Sequence, residues 1–217
     1  YLNSSSGRLA RQEPLPRKPY PMPQLAPHLL SKMERGTATL STIHRGLQVL
    51  ATDVLMRHHQ QLEQNGVHNA AILVLDTMSG EVLSYIGNIP EFKNTEHHNY
   101  VDVIQASRST GSVLKPFLFA AALQSGELLP TQLIADIPTR MGGFAPENFH
   151  RKYSGAIPAS QALTRSLNIP AVKLLQSYGV ARFQSLLKSM GMSTLHRSPD
   201  DYGLTLILGG AEGSLWE

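Results

Sequence analysis

Residues 105–126 read Gln-Ala-Ser-Arg-Ser-Thr-Gly-Ser-Val-Leu-Lys-Pro-Phe-Leu-Phe-Ala-Ala-Ala-Leu-Gln-Ser-Gly. The second half of this stretch predicts a helix that ends at Gly126. Pro116 has no amide hydrogen and therefore fits only the first turn of a helix. This restriction places Ser112 at or just before the first turn, after a polar and flexible run that ends at Gly111.

One face of this predicted helix is apolar. Its members recur at three- and four-residue spacing, and they are Leu114, Phe117, Leu118, Ala121 and Ala122. Because this face is broad, we expect the helix to be largely buried.

Ser112 and Lys115 form a candidate nucleophile and base. They are three residues apart, so their side chains can share one helix face. A neutral lysine amine can accept the serine proton, and the positive end of the helix favours nearby negative charge. Lysine has an ordinary pKa of about 10.4, so this role requires that burial or a second cation lower the pKa. The apolar neighbours Val113, Leu114 and Phe117 are candidates to provide that burial.

A second serine-lysine pair has the same spacing but a different context. Ser185 and Lys188 lie inside an amphipathic run from Val180 to Met190, away from its apolar face and from any helix start. We interpret this second pair as part of a solvated helix surface.

The composition excludes several classes of function. The chain has 217 residues, enough for one sizeable core, and a net charge of +3 without a long basic run. A nucleic-acid site is therefore not expected. The absence of cysteine excludes thiol catalysis and thiolate metal sites, and it suits an oxidising compartment. No apolar run approaches the roughly 20 residues that cross a membrane.

The first 36 residues differ from the rest in composition. Six of the fourteen prolines lie within the first 27 residues, which cannot bury enough apolar surface to fold alone. We interpret residues 1–36 as an inter-domain linker with a short helix near Ala26–Met33. Residues 37–217 are interpreted as one domain.

Regular elements are predicted in the first half of this domain. Thr37–Ile43 is β-prone, and a helix is predicted from His44 to Gln64. Ala70–Asp76 and Glu81–Ile86 predict a β-hairpin in which one strand is central and buried on both faces. The histidines are interpreted as solvated side chains rather than as metal ligands.

Ser166 and Asn168 lie on a predicted connection between two helices. The first helix is expected over Ile157–Ser166, and Pro170 starts the second. Two interpretations remain open: both side chains project into a cleft, or both cap the adjoining helix ends. The polar and aromatic segment 144–155 is a further candidate to line a cleft.

The order of these pieces resembles the transpeptidase domain of a class A penicillin-binding protein. The pieces are Ser112-Val-Leu-Lys115, Pro-Glu-Asn148-Phe followed by Tyr153-Ser-Gly155, Ser166-Leu-Asn168, and Leu208-Gly-Gly210. The resemblance covers most of residues 37–217. It implies an α/β (α+β) fold, in which an antiparallel sheet is flanked by helices and joined by a helical subdomain.

The resemblance also implies roles for four residues. Ser112 would attack the D-Ala-D-Ala end of a peptidoglycan stem peptide, and Lys115 would be its base. Ser166 would relay a proton to the leaving group, and Asn168 would hold the substrate peptide. One oxyanion donor would be the Ser112 amide. No cofactor or metal is implied, and β-lactam antibiotics would compete with the stem peptides.

This sequence departs from the family pattern in one respect. No Lys, Arg or His is followed by Thr-Gly or Ser-Gly, so the third family motif is absent. We therefore expect the chain to be the middle of a longer protein, with a glycosyltransferase domain and a membrane anchor upstream. That protein would lie at the periplasmic face of the bacterial inner membrane. A D,D-carboxypeptidase or β-lactamase-like hydrolase, or a catalytically silent scaffold, remains an alternative.

Overall fold

Short helices and two-stranded sheets make up the computed structural model, which describes residues 24–34, 36–90 and 96–217. The α-helices are α1 Pro27–Leu30, α2 Arg45–Leu62, α3 Lys115–Gln124, α4 Ala159–Thr164, α5 Asn168–Tyr178, α6 Val180–Ser189 and α7 Pro199–Tyr202. The strands are β1 Ile72–Leu75, β2 Val82–Ile86, β3 Arg108–Ser109, β4 Leu133–Asp136, β5 Gly155–Pro158 and β6 Glu212–Gly213. Strands pair antiparallel as β1 with β2, β3 with β6, and β4 with β5.

The predicted hairpin and the predicted long helix are confirmed. Ile72 pairs with Ile86 across β1 and β2, and α2 packs on β2 through Leu55, Ile86 and Ile89. The expectation of a central strand was wrong for the described part of the chain, in which this sheet has two strands only. Segment 37–43 is not a strand in the structure, although the Thr42 hydroxyl donates to the Val82 carbonyl oxygen at 2.7 Å.

The largest apolar cluster lies around α3 and α5. Its fully buried members include Leu118 on α3 and Val172 on α5, together with Phe183 on α6. Pro116 lies in the first turn of α3 as predicted, and Gly126 follows its end with a φ of 75°. A left-handed residue there ends the helix at low cost because glycine has no Cβ.

Phe117 is a correction to the predicted buried face. Its side chain is 40% exposed, whereas Phe119 is 3% exposed and belongs to the core. Three consecutive apolar residues, 117–119, do not fix the rotation of a helix, so packing against α5 decided which aromatic ring faces inward.

The predicted helix over Ile157–Ser166 is shorter than expected. Residues 155–158 form β5 instead, and Ile157 pairs with Ile134 of β4. Helix α4 then covers Ala159–Thr164. Pairing with β4 gives the backbone of Ile157 its hydrogen bonds, which a first helical turn would leave partly unsatisfied.

Residues 24–34 lie against the domain. The Lys32 amine forms an ion pair of 2.5 Å with Asp102 and donates to the Tyr85 hydroxyl at 2.7 Å. Gln48 donates to the Leu25 carbonyl oxygen at 2.8 Å. Residues 1–23 of the predicted linker lie outside the described residues, and the division at residue 36 stays a prediction.

The predicted fold class is confirmed: helices flank antiparallel strands, and α3 to α7 form the helical part. Within the described residues, no helix is both long and apolar enough to span a membrane.

Candidate active site

The Lys115 amine is buried and is the centre of a polar cluster. Lys115 is the first residue of α3, and its side chain is 1% exposed. Its Nζ donates to the Ser166 carbonyl oxygen at 2.7 Å and to Asn168 Oδ1 at 2.7 Å. A third neighbour, Ser166 Oγ, lies 3.2 Å away. The α4–α5 connection thus contacts the lysine that sequence spacing proposed as a base.

Burial lowers the pKa of Lys115 from its ordinary value of 10.5 to about 8. Desolvation disfavours the ammonium, and no carboxylate of the described residues lies within ion-pair distance to oppose it. A neutral amine has two hydrogens, which suit the two acceptors at 2.7 Å. Its lone pair then remains available to accept a proton.

Ser166 lies in a strained turn between α4 and α5. Its φ is 50°, a left-handed value that is unusual for a residue with a Cβ. Two backbone bonds hold the turn: Ser166 N to Leu163 O at 2.9 Å, and Leu167 N to Ala162 O at 3.0 Å. Such strain persists only where surrounding contacts impose it, and it is common at functional sites.

The capping interpretation of Ser166 and Asn168 was wrong. The N-cap of α5 is Leu167, and no hydrogen bond from a side chain at that position caps the helix. Both polar side chains meet the Lys115 amine instead. Asn168 Nδ2 donates to the Glu147 carbonyl oxygen at 2.8 Å, so its Oδ1 faces the lysine.

Asn148 is a site residue whose contacts sequence reasoning missed. Its Oδ1 accepts from the Asn168 backbone amide at 2.9 Å, and its Nδ2 donates to Asp136 Oδ1 at 2.6 Å. It belongs to the segment 144–155 that was a candidate to line a cleft. The sequence does not indicate which hydrogen-bond partner a polar side chain in such a segment has.

Ser112 lies in the turn before α3 and is exposed. Its carbonyl oxygen accepts from the Lys115 amide at 3.2 Å. Among the described residues, its hydroxyl and its own amide have no hydrogen-bond partner. The structure therefore brings Lys115, Ser166 and Asn168 into contact, and it leaves the Ser112 hydroxyl unbonded one turn away.

The chain around Leu208-Gly-Gly210 supports the turn that carries Ser112. The Ser109 hydroxyl donates to the Gly209 carbonyl oxygen at 2.7 Å, and the Thr110 amide donates to the Ala211 carbonyl oxygen at 3.0 Å. Gly209 has a φ of 99°, and a Cβ there would lie 2.7 Å from Ser109 Oγ and 3.0 Å from Gly111 Cα. Glycine is required because the loop before Ser112 approaches this closely.

The family model described as the penicillin binding protein transpeptidase domain matches residues 70–210. The chain belongs to this family. Penicillin-binding protein 1C of Escherichia coli K12 is 35% identical over 210 residues, which cover 95% of this chain and 27% of that protein. The chain thus spans about a quarter of the length of this curated relative.

Two solved structures agree with this assignment. The crystal structure of penicillin-binding protein 1A from Haemophilus influenzae has a TM-score of 0.55 and 26% identity, and the match covers 67% of this chain and 21% of that chain. Penicillin-binding protein PonA1 from Mycobacterium tuberculosis has a TM-score of 0.65 at 20% identity, covering 88% of this chain and 52% of that chain. The second likeness supports the fold alone.

The second serine-lysine pair of this transpeptidase domain lies on the surface, as predicted. Ser185 and Lys188 are exposed on α6, and the Ser185 hydroxyl donates to the Ala181 carbonyl oxygen at 2.9 Å. Leu187, between them, is buried. The same spacing therefore has two environments, and only that of Lys115 is desolvated.

An apolar cavity of about 460 Å³ lies beside the Ser112 turn of the transpeptidase domain. Val113 and Phe117 line it, together with Met190 and Leu215. These two α3 neighbours therefore do not bury Lys115, in contrast to the expectation; Leu114, at 2% exposure, is the one of the three that lies in the core.

The histidines of the transpeptidase domain do not form a metal site in the part of the chain that is described, where no group of three potential ligands occurs. The interpretation of all histidines as solvated was wrong for His59 and His28, which are each 5% exposed. His59 faces inward from α2.

Proposed function

We propose that this domain catalyses peptidoglycan cross-linking by acyl transfer, with Ser112 as nucleophile and Lys115 as base. One observation carries the proposal. The Lys115 amine is buried, lacks a carboxylate partner among the described residues, and contacts Ser166 and Asn168. A lysine in such a setting can lose its proton near neutral pH, as a base for a serine must.

The first half-reaction forms an ester on Ser112. The Ser112 oxygen attacks the carbonyl carbon of the penultimate D-Ala of a stem peptide, and its proton passes to the Lys115 amine. The unbonded Ser112 hydroxyl must turn toward that amine, a contact that commonly tightens only when substrate binds. The unpaired Ser112 amide, at the positive end of α3, is a donor for the oxyanion.

The bond to the terminal D-Ala then breaks. The leaving amine takes a proton through Ser166, whose hydroxyl lies 3.2 Å from Lys115 Nζ. Asn168 holds the substrate peptide with the Nδ2 hydrogen that Glu147 does not use. An amine of a second stem peptide attacks the ester, forms the cross-link and releases Ser112.

The wider setting of the domain is also part of the proposal. This chain matches only a quarter of penicillin-binding protein 1C. We place residues 1–36 as the connection to an upstream glycosyltransferase domain, and residues 37–217 as part of the transpeptidase domain. The protein would act at the periplasmic face of the inner membrane, and β-lactams would acylate Ser112.

Product analysis tests this function in the natural protein that contains this chain. Stem pentapeptides supplied with an acceptor amine should yield cross-linked dimers and free D-Ala in equal amounts. A carboxypeptidase releases D-Ala without dimers, and a β-lactamase turns over penicillin. A silent scaffold yields none of these products, and the Ser112→Ala variant provides the blank.

A further inference from the structure

The segment between β4 and β5 contains a buried asparagine, Asn148, that contacts the site although it belongs to neither Ser112–Lys115 nor Ser166–Asn168. We propose that Asn148, anchored by Asp136, is a positioning residue that fixes the start of α5 and thereby the acceptors of the Lys115 amine. Its link to acylation rests on the proposed function, whereas its effect on Lys115 does not.

The Asn148 carboxamide has every hydrogen-bonding group engaged. Its Oδ1 accepts from the amides of Asn168 at 2.9 Å and Ile169 at 3.4 Å. Its Nδ2 donates to Asp136 Oδ1 at 2.6 Å and to the Lys152 carbonyl oxygen at 2.9 Å. A flipped carboxamide would place its oxygen against the Asp136 carboxylate, so these contacts fix its orientation.

Asp136 ties Asn148 to the β4–β5 sheet. It is the last residue of β4, its side chain is 0% exposed, and its Oδ2 accepts from the Ser154 amide at 2.8 Å. A buried carboxylate is stable only with donors on its oxygens, and both oxygens have one here. The sheet thus holds Asp136, and Asp136 holds Asn148.

Asn148 caps α5 from twenty positions upstream in the chain. The first amides of a helix need acceptors, and Leu167 at the N-cap offers no side-chain oxygen. Asn148 supplies that oxygen. Asn168 is both the first residue of α5 and the partner of Lys115 Nζ, so the contact that holds its backbone amide also fixes the point from which its side chain reaches the lysine.

The first test needs no catalytic activity. The Lys115 amine is titrated by NMR in the natural protein that contains this chain, with the signal assigned by its loss in the Lys115→Arg variant. Asn148→Ala should admit water to the α5 start and raise the Lys115 pKa by about one pH unit or more toward its ordinary value. An unchanged Lys115 titration overturns the proposal.

A matched control separates positioning from general destabilisation. Asn88 is 1% exposed, donates to the Val101 carbonyl oxygen at 3.0 Å and has no contact with the Lys115 cluster. Asn88→Ala should lower stability and leave the Lys115 titration unchanged. If both alanine variants move the Lys115 pKa equally, the role of Asn148 is merely structural and the proposal fails.

An exchange of the two side chains provides a rescue. Asn148→Asp alone sets two carboxylates against each other in a buried site, and it should move the Lys115 titration as Asn148→Ala does. The double variant Asn148→Asp with Asp136→Asn restores one donor and one carboxylate. Because the Lys152 carbonyl oxygen then lacks a donor at position 148, the double variant should recover only part of the wild-type titration. A double variant no closer to wild type than Asn148→Asp would contradict the proposed orientation of Asn148.

Acylation by a fluorescent penicillin, in the natural protein that contains this chain, links the inference to function. Misplacing a catalytic group by about 1 Å costs about 100-fold in rate, so Asn148→Ala should acylate about 100-fold more slowly than wild type, with its pH midpoint raised. A wild-type acylation rate in this variant overturns the positioning role in catalysis. A wild-type protein that is not acylated at all refutes the proposed function, and the NMR result still decides the role of Asn148.

Discussion

The Lys115 amine lies 2.7 Å from Asn168 Oδ1, although the two residues are 53 positions apart in the chain. The first residue of one helix therefore meets the first residue of another. Both lie beside the apolar cluster around α3 and α5, and the lysine loses its hydration there. This contact distinguishes Lys115 from Lys188, which has the same spacing to a serine but is exposed.

The two serine-lysine pairs should differ in their reaction with penicillin. In the natural protein that contains this chain, labelled penicillin should form an ester with Ser112 and not with Ser185, because only Ser112 has a desolvated lysine nearby. Ser112→Ala should abolish the label and leave the fold intact, and Ser185→Ala should change nothing. Peptide mapping of the label by mass spectrometry is the measurement. Wild-type labelling of the Ser112→Ala protein would mean that the nucleophile is elsewhere.

Lys115→Arg should lower the rate of acylation by about 100-fold or more, the usual contribution of a general base. A guanidinium stays protonated and cannot accept the serine proton. The wild-type rate should rise with pH around a midpoint near 8, the pKa of Lys115. Lys188→Arg is the control and should keep the wild-type pH profile. The measurement is the labelling rate from pH 6 to 10, and a rising profile in Lys115→Arg would exclude Lys115 as the base.

Burial of Lys115 should also make stability depend on pH. Its pKa falls from 10.5 to about 8 on folding, so between these values the unfolded chain binds more protons than the folded chain. The free energy of unfolding should therefore rise with pH through this window. Below pH 8 the folded chain bears the full free-energy cost of burying the protonated amine. Relative to Lys115→Met, wild type should gain about 2–3 kcal/mol between pH 7 and pH 10.

Urea unfolding at the two pH values measures this gain. Lys188→Met is the control: because Lys188 is exposed, the difference between that variant and wild type should stay constant. A constant difference for Lys115→Met as well would show that the folded-state pKa of Lys115 is not depressed.

Gly209→Ala should impair both stability and acylation. An alanine in a left-handed conformation costs about 1–2 kcal/mol, and its Cβ would also displace the loop before Ser112. Gly126 is the matched control, with a φ of 75° and no atom within 4 Å of a Cβ at that position. Gly126→Ala should lower the free energy of unfolding by the backbone cost alone and keep the wild-type acylation rate. Equal acylation rates in the two variants would argue against a supporting role for Gly209.

The sequence was informative wherever a local rule sufficed. Pro116 predicted the start of α3, because a residue without an amide hydrogen fits a first turn. The apolar run Ala70–Asp76 and the turn after it predicted the β1–β2 hairpin, and periodic apolar residues predicted α2. The environment of Ser185 was also predictable, since its neighbours Phe183 and Leu187 define a buried face on the other side of α6.

Long-range partners were not predictable from the sequence. From the sequence alone, Ser166 and Asn168 could also be interpreted as capping residues, since a polar side chain at a helix end bonds either the local backbone or a distant group. The contact with Lys115 exists because α3 and α5 pack together. The contacts of Asn148 depend on the path of a loop, which the identities of its residues do not specify.

The hydrogen bond between Ser109 and Gly209 spans 100 positions of sequence. A ribosome adds about 5–20 residues per second, so roughly 5–20 s separate the synthesis of these two residues. During that time β6 has not yet been synthesised, so β3, which lies just before Ser112, has no strand to pair with. The turn that carries Ser112 is therefore assembled late, and an unfinished polypeptide contains this serine without the contacts that hold its turn.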